Sequence, residues 1–133
     1  MNPEIELILR LLLAAALGFG IGFQRERSGK PAGLRTHCLI ALGAALFTVA
    51  SSTFGTWADA SRIAAGVVAG VGFIGGGVIF RSASGDELVG ITTAASIWVT
   101  AAVGLAAGAG MYLISFIVAL IATLVLMIPK IGE

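Results

Sequence analysis

Five apolar stretches, each nearly free of charge, constrain this chain more than any other feature. They cover residues 11–23, 39–57, 63–80, 90–109 and 111–128. Charged residues make up 11% of the sequence, against roughly 25% in an ordinary soluble domain. Only helices or closed barrels cross a bilayer, because lipid offers the backbone no hydrogen-bond partners. The stretches are continuous rather than alternating with period two, which predicts an all-α, polytopic integral membrane protein with five transmembrane helices.

The chain is predicted to form a single transmembrane domain over residues 1–133, with no soluble domain after the last helix. A spanning helix needs about 20 apolar residues, which places the five helices near residues 4–23, 37–55, 62–80, 90–107 and 110–129. Gly108, Ala109 and Gly110 form a tight turn between the last two helices. Glu4 and Glu6 precede the first apolar stretch, whereas a secretory signal begins with a positive segment. The first stretch is therefore predicted to be a retained helix.

The distribution of basic residues predicts the orientation. With the N-terminus outside, six of the eight lysines and arginines fall on one side of the membrane: Arg25, Arg27, Lys30, Arg35, Arg81 and Lys130. An excess of Lys and Arg marks the cytoplasmic side. We therefore expect a multi-pass membrane protein with its N-terminus outside and its C-terminus in the cytoplasm.

Several functional classes are disfavoured by composition. The net charge of +1 gives no reason to expect nucleic-acid binding. A single cysteine, Cys38, excludes an internal disulfide, and no Cys/His cluster has zinc spacing. No nucleophile–base or metal constellation is recognisable. The expectation is a protein that is not an enzyme and uses no cofactor or metal.

Charged residues at the helix ends form the first group of candidate functional residues. They are Arg25, Glu26, Arg27, Arg35 and His37 around the first loop, and Asp59 and Arg62 at the start of the third helix. The first set could anchor the protein to lipid phosphates, or form an ion-paired platform, since guanidinium groups bind carboxylates bidentately. The two interpretations are compatible. Ser61 is a candidate N-cap of the third helix.

Glycines and hydroxyls form the second group. Small-xxx-small pairs allow close helix packing in lipid, and they occur at Gly18/Gly22, Gly66/Gly70, Gly72/Gly76 and Gly104/Gly108. Three consecutive glycines could instead unwind the third helix. The fourth helix carries hydroxyls that could pack between helices or line a hydrated path. The candidate helix-break or pathway residues are Gly72, Gly75, Gly76, Gly77, Thr92, Thr93, Ser96 and Trp98.

Self-association is the expected partnership. Five helices make a thin bundle, and its small-residue faces exceed what one bundle would use. Identical parallel subunits most simply form a two-fold dimer, here through the glycine-rich faces of the first or third helix. Membrane lipid and other membrane proteins are the remaining expected partners.

Four ordered motifs resemble the MgtC/SapB family of membrane proteins. They are Arg25-Glu26-Arg27, the run from Pro31 to His37, the run from Arg62 through Gly70 to Ile79, and the run from Gly90 to Trp98. The resemblance covers essentially the whole chain. Many family members add a cytoplasmic ACT-like domain, so this sequence resembles the short form. It departs from the family at Gly66, where Gln is frequent.

The resemblance implies a bacterial inner-membrane protein connected with magnesium homeostasis. Its namesake is linked to growth in low magnesium, and the favoured view is regulation of other membrane machinery rather than magnesium transport. Two hypotheses follow. One is a non-enzymatic regulator active in magnesium limitation or stress. The alternative is an oligomeric ion channel or transporter that uses the glycine-rich third helix and the hydroxylated fourth helix.

Overall fold

The computed structural model describes the backbone of residues 2–82 and 89–129, and the side chains of residues 2–80 and 89–129. This part of the chain is all-helical. The helices are α1 (Pro3–Arg27), α2 (Leu34–Ser51), α3 (Trp57–Ser82), α4 (Ile91–Gly108) and α5 (Tyr112–Leu126), with a short 3₁₀ turn at Ser52–Phe54. Four of these are long and apolar enough to span a membrane, and α5, with 15 residues, is shorter. The predicted fold class is confirmed.

Helix ends differ from the predicted ones where a polar side chain caps a helix. α3 begins at Trp57 because the Thr56 hydroxyl accepts a hydrogen bond from the backbone N–H of Asp59 (3.0 Å). This hydroxyl in turn donates to the Asp59 carboxylate (2.7 Å), a reciprocal cap of the kind that starts helices. The prediction of Ser61 as the cap is wrong. Ser61 lies inside the first turn and donates to the carbonyl of Ala58.

The bundle is organised around α4, which contacts all four other helices. α2 and α4 run parallel: Ala41 packs on Gly104, and Ala45 packs on Gly108. A Cβ added to Gly108 would lie 2.6 Å from the carbonyl oxygen of Ala45. Such close approach is the expected way for helices to associate in lipid, where there is no hydrophobic force between them.

α1 packs against α2 through its own pair of glycines. A Cβ on Gly18 would lie 2.6 Å from the carbonyl of His37, and one on Gly22 would lie 2.9 Å from the carbonyl of Gly33. Two of the predicted glycine pairs, Gly18/Gly22 and Gly104/Gly108, are therefore used inside one subunit. Both press on α2, from two sides.

α3 lies at the edge of the bundle. Within the described residues it contacts α2, α4 and the 3₁₀ turn, and it has no contact with α1 or α5. A Cβ added to Gly66, Gly70, Gly72 or Gly76 would meet nothing within 4 Å. These four glycines of α3, unlike Gly18 and Gly22 of α1 and the glycine pair of α4, make no close contact within the subunit.

Candidate functional site

Arg25, Glu26 and Arg27, at the end of α1, point in three different directions around the helix. Arg25 is buried, with 3% of its surface exposed, and its Nη2 donates to the hydroxyl of Thr93 on α4 (2.6 Å). Arg27 is exposed, and its guanidinium carbon lies 5.9 Å from the centre of the Phe23 ring. Residues two apart on a helix are about 200° apart around its axis, so only one of these arginines can face the bundle.

Glu26 holds the start of α2. Its Oε1 accepts a hydrogen bond from the backbone N–H of Leu34, the first residue of α2 (3.0 Å). A carboxylate at this end is also favoured by the helix dipole. The side chain lies directly over Gly33, so a larger residue there would have to displace the Glu26 carboxylate. Glu26 is therefore a cap that fixes the α1–α2 hairpin.

His37 links α2 to α4. The ring is fully buried; Nδ1 lies 2.8 Å from the carbonyl oxygen of Gly33, and Nε2 lies 2.9 Å from the hydroxyl of Ser96. A carbonyl can only accept, so Nδ1 carries a proton. In the neutral ring, Nε2 is then the acceptor for the hydroxyl of Ser96. This hydroxyl also lies 2.7 Å from the carbonyl oxygen of Thr93, so its single hydrogen has two possible acceptors.

A cavity of about 760 Å³, which we call the basic chamber, lies beside Arg25. Its polar side chains come from α1, the following loop and the first turn of α4: Gln24, Arg25, Ser28, Lys30, Thr92 and Thr93. Val125 to Pro129 supply an apolar wall at the end of α5. Gln24 ties this wall to α1, since its Nε2 donates to the carbonyl of Leu126 (3.2 Å).

Two buried polar atoms at the basic chamber have no hydrogen-bond partner among the described residues. They are Nε of Arg25 and Oε1 of Gln24. Buried polar groups are nearly always paired, so each exception needs an explanation.

The other charged candidates lie apart from this chamber. Arg35 is exposed at the start of α2. Asp59 and Arg62 form a long ion pair of 3.8 Å, with 81% of the Arg62 side chain exposed. No ion pair joins Arg25, Glu26, Arg35 or Arg62 to one another in the described part of the chain. The ion-paired platform is therefore replaced by a buried arginine and a separate helix cap.

The pathway candidates are also separated. α3 is an uninterrupted helix through Gly75, Gly76 and Gly77, so the unwound turn considered above is absent. A Cβ on Gly75 would lie 3.5 Å from Cβ of Ala94, which is ordinary contact with α4. Thr93 and Ser96 are buried, whereas Thr92 and Trp98 are exposed. A role of these residues in a pathway stays a prediction.

A second polar cluster, at the opposite end of α1, was not predicted. Arg10 donates from Nη1 to the carbonyl of Gly108 (3.0 Å), from Nη2 to Glu6 (3.0 Å), and from Nε to the hydroxyl of Tyr112 (3.2 Å). The tyrosine donates in turn to Glu6 (3.0 Å). The spacing of Glu6 and Arg10 indicated a pair on one helix face, but no local signal indicated Tyr112, which lies 102 residues from Arg10.

Comparison with known proteins decides the family. The MgtC family matches residues 11–132, which includes all of α2 to α5 and most of α1. The chain belongs to the MgtC family. Its resemblance to that family, and its nature as a membrane protein of a bacterial family, are thereby confirmed.

Relatives within the family carry different names. "Putative magnesium transporter YhiD" of Escherichia coli K12 is 51% identical over 116 residues, which cover 80% of this chain and 53% of that protein. Protein SrpB of Synechococcus elongatus is 45% identical over 84% of this chain and 68% of its own length. Protein MgtC of Brucella abortus is 46% identical over 74% of this chain and 40% of its own.

The chain spans about half the length of the Escherichia coli relative and two fifths of the Brucella one. No solved structure matches the chain. The name of the Escherichia coli relative connects the family with magnesium.

Proposed function

We propose that this protein acts in adaptation to magnesium limitation or stress as a non-enzymatic regulator that binds other proteins of a bacterial inner membrane. In this proposal it does not carry magnesium through its own bundle. The observation that supports it is Arg25, a buried cation beside the basic chamber.

The charge of this chamber opposes a magnesium pathway. Mg²⁺ is bound through oxygen ligands, commonly one or two carboxylates with water or phosphates. Among the residues that the structure describes, the charged side chains that line the chamber are Arg25 and Lys30, and the nearby carboxylate of Glu26 is engaged with the N–H of Leu34. Like charges at short range repel strongly where the dielectric is lower than in water.

A flux measurement separates regulation from transport. The purified protein is reconstituted in liposomes that contain a magnesium-sensitive dye, with a known magnesium channel as the positive control. We expect magnesium entry equal to that of protein-free liposomes. The second half of the test is growth at low magnesium. A deletion strain should grow poorly, and the wild-type gene should restore its growth. Magnesium entry through the wild-type protein, altered by the Arg25→Gln substitution, would overturn the proposal.

We also propose that a second copy of the chain packs against α3. A groove of about 660 Å³ between α2 and α3 is lined by apolar side chains and by Gly43, Gly66 and Gly70. Helices approach most closely through small residues in lipid. Gly18 and Gly22 of α1 are already covered by α2, so of the two faces considered from the sequence, α3 is favoured.

Cross-linking in lipid nanodiscs tests this contact. Gly70→Leu fills the open face, and we expect it to reduce the dimer fraction severalfold at unchanged helical content. Leu113→Ala is a matched control, since Leu113 is 72% exposed on α5, away from α3. A chain that is monomeric at high protein density in nanodiscs would contradict the dimer.

The oligomeric channel remains the second candidate because the glycines of α3 are open. Gly72, Gly76 and Gly77 have no neighbour within 4 Å of an added Cβ and could line a path between two subunits. The hydroxyls of Thr93 and Ser96 are hydrogen-bonded to side chains of α1 and α2 in the single subunit. In this case Gly70→Leu would abolish ion flux together with the dimer.

A further inference from the structure

We infer that the basic chamber is a binding site for a phosphate group, with Arg25 and the start of α4 as its recognition elements. The ligand class is an anion with phosphate oxygens, either a free phosphate or the headgroup of an anionic lipid. This inference is independent of the proposed function, because such a site could exist in a regulator or in a carrier.

Arg25 is the first element of the site. Arg25 is buried, with 3% of its surface exposed, and its side chain lines the chamber. Nη2 is held by Thr93, whereas Nε has no partner among the described residues. An unpaired cation in a low-dielectric site is costly, and a phosphate oxygen would satisfy both its charge and its free donor.

The first turn of α4 is the second element. Gly90 precedes the helix with a φ of +87°, and no side chain of the described residues caps this end. The first backbone bond at this end runs from the N–H of Ala94 to the carbonyl of Gly90, so the N–H groups of residues 91–93 precede the helical ladder. Free N–H groups and the helix dipole make such a terminus favourable for anions. Gly90, Thr92 and Thr93 line the same chamber as Arg25.

The remaining lining fits a phosphate group rather than a metal ion. Lys30 and the hydroxyl of Ser28 add a cation and a donor. The apolar wall formed by Val125 to Ile128 could accept acyl chains if the phosphate belongs to a lipid. A volume of about 760 Å³ is ample for a headgroup.

Two probes distinguish the sources of phosphate. Delipidated protein in an alkyl maltoside, which contains no phosphate, is titrated with inorganic phosphate by equilibrium dialysis. In parallel, retention of phosphatidylglycerol is measured by native mass spectrometry, with diacylglycerol as the control lipid that lacks phosphate. Binding of inorganic phosphate alone indicates a soluble ligand, and selective retention of phosphatidylglycerol indicates a headgroup. Either result supports the site.

Matched variants place the binding at the chamber. We expect Arg25→Gln to weaken binding of the positive probe about tenfold or more, the usual effect of losing a charged hydrogen bond. Arg27→Gln, an exposed arginine two residues away, should leave binding unchanged. Lys30→Gln, which changes an exposed side chain of the lining, should weaken binding about two- to threefold, and it tests the site even if Arg25→Gln does not fold.

Two results would overturn the inference. One is a wild-type protein that retains neither probe. The other is equal loss of binding in Arg25→Gln and Arg27→Gln, which would indicate nonspecific attraction to positive charge.

Discussion

At the scale of single residues, Ser96 connects the fourth helix to the second. Its hydroxyl meets the buried ring of His37 at 2.9 Å, and both groups lie where water cannot replace a lost partner. We expect Ser96→Ala to lower the free energy of unfolding in detergent by about 0.6–2 kcal/mol, the range for interhelical hydrogen bonds in membranes. Thr92→Ala is the matched control, since Thr92 lies on the exposed side of the same helix. Equal effects of the two changes would contradict the assignment.

Tyr112 allows a second test at this scale. Its hydroxyl accepts from Arg10 and donates to Glu6, so it links the N-terminal part of α1 to the start of α5. Tyr112→Phe removes only the oxygen and should lower stability by about 0.5–1.5 kcal/mol. In an Arg10→Gln background the same change should cost less, because one of the two partners of the hydroxyl is then already lost. A double-mutant cycle with no coupling would show that the cluster is not cooperative.

The sequence could locate the candidate site but could not assign a role to each of its residues. The triplet at residues 25–27 marked the right region, because few charges lie near the membrane. The sequence could not say which arginine faces the bundle, since both side chains are the same and the two positions differ only in their direction around the helix. The partner of Arg25, Thr93, lies 68 residues away, and hydroxyls at helical spacing fit packing and a hydrated path equally well.

At the scale of helices, the glycines divide into two sets with opposite expected responses. Gly18→Ala places a Cβ 2.6 Å from a carbonyl of α2, and it should destabilise the protein by about 1–3 kcal/mol. Gly66→Ala meets open space and should be neutral or slightly stabilising, because alanine favours the helix. Thermal unfolding of both variants in the same detergent is the measurement. Destabilisation by both to the same extent would contradict the packing described here.

The helices themselves were predictable, and their partners were not. Continuous apolar stretches dictate spanning helices, since lipid leaves the backbone no other choice. The same small-xxx-small spacing occurs in α1, α3 and α4, yet only in α1 and α4 does it face another helix of the subunit. Spacing defines a smooth face but not its neighbour. The starts of α2 and α3 were placed too late because of their caps. Glu26, which caps α2, lies outside the apolar stretches, and Thr56, which caps α3, lies at the end of the stretch assigned to α2.

At the scale of the whole molecule, the orientation in the membrane stays a prediction. In a Cys38→Ala background, a cysteine at Ser28 should be protected from an impermeant thiol reagent in intact cells, and a cysteine at Thr53 should be labelled. Both positions are exposed on the protein surface, so protection reports on the membrane rather than on burial. The predicted cytoplasmic position of Glu133 lies outside the described residues and can be tested in the same way. Labelling of Ser28→Cys from outside would reverse the orientation.

The central position of α4 has a consequence for biosynthesis. The hairpin of α1 and α2 can pack as soon as both helices have left the ribosome, since Gly18 and Gly22 need only α2. α3 cannot complete its packing at this stage, because its main neighbour in the bundle is α4, the helix that follows it. The small alanines of α2 and the buried His37 stay open to lipid until Gly104 and Gly108 arrive. We therefore expect insertion of α4 to be the step that completes the bundle, because the polar groups that pair with α4 have no partner there before it.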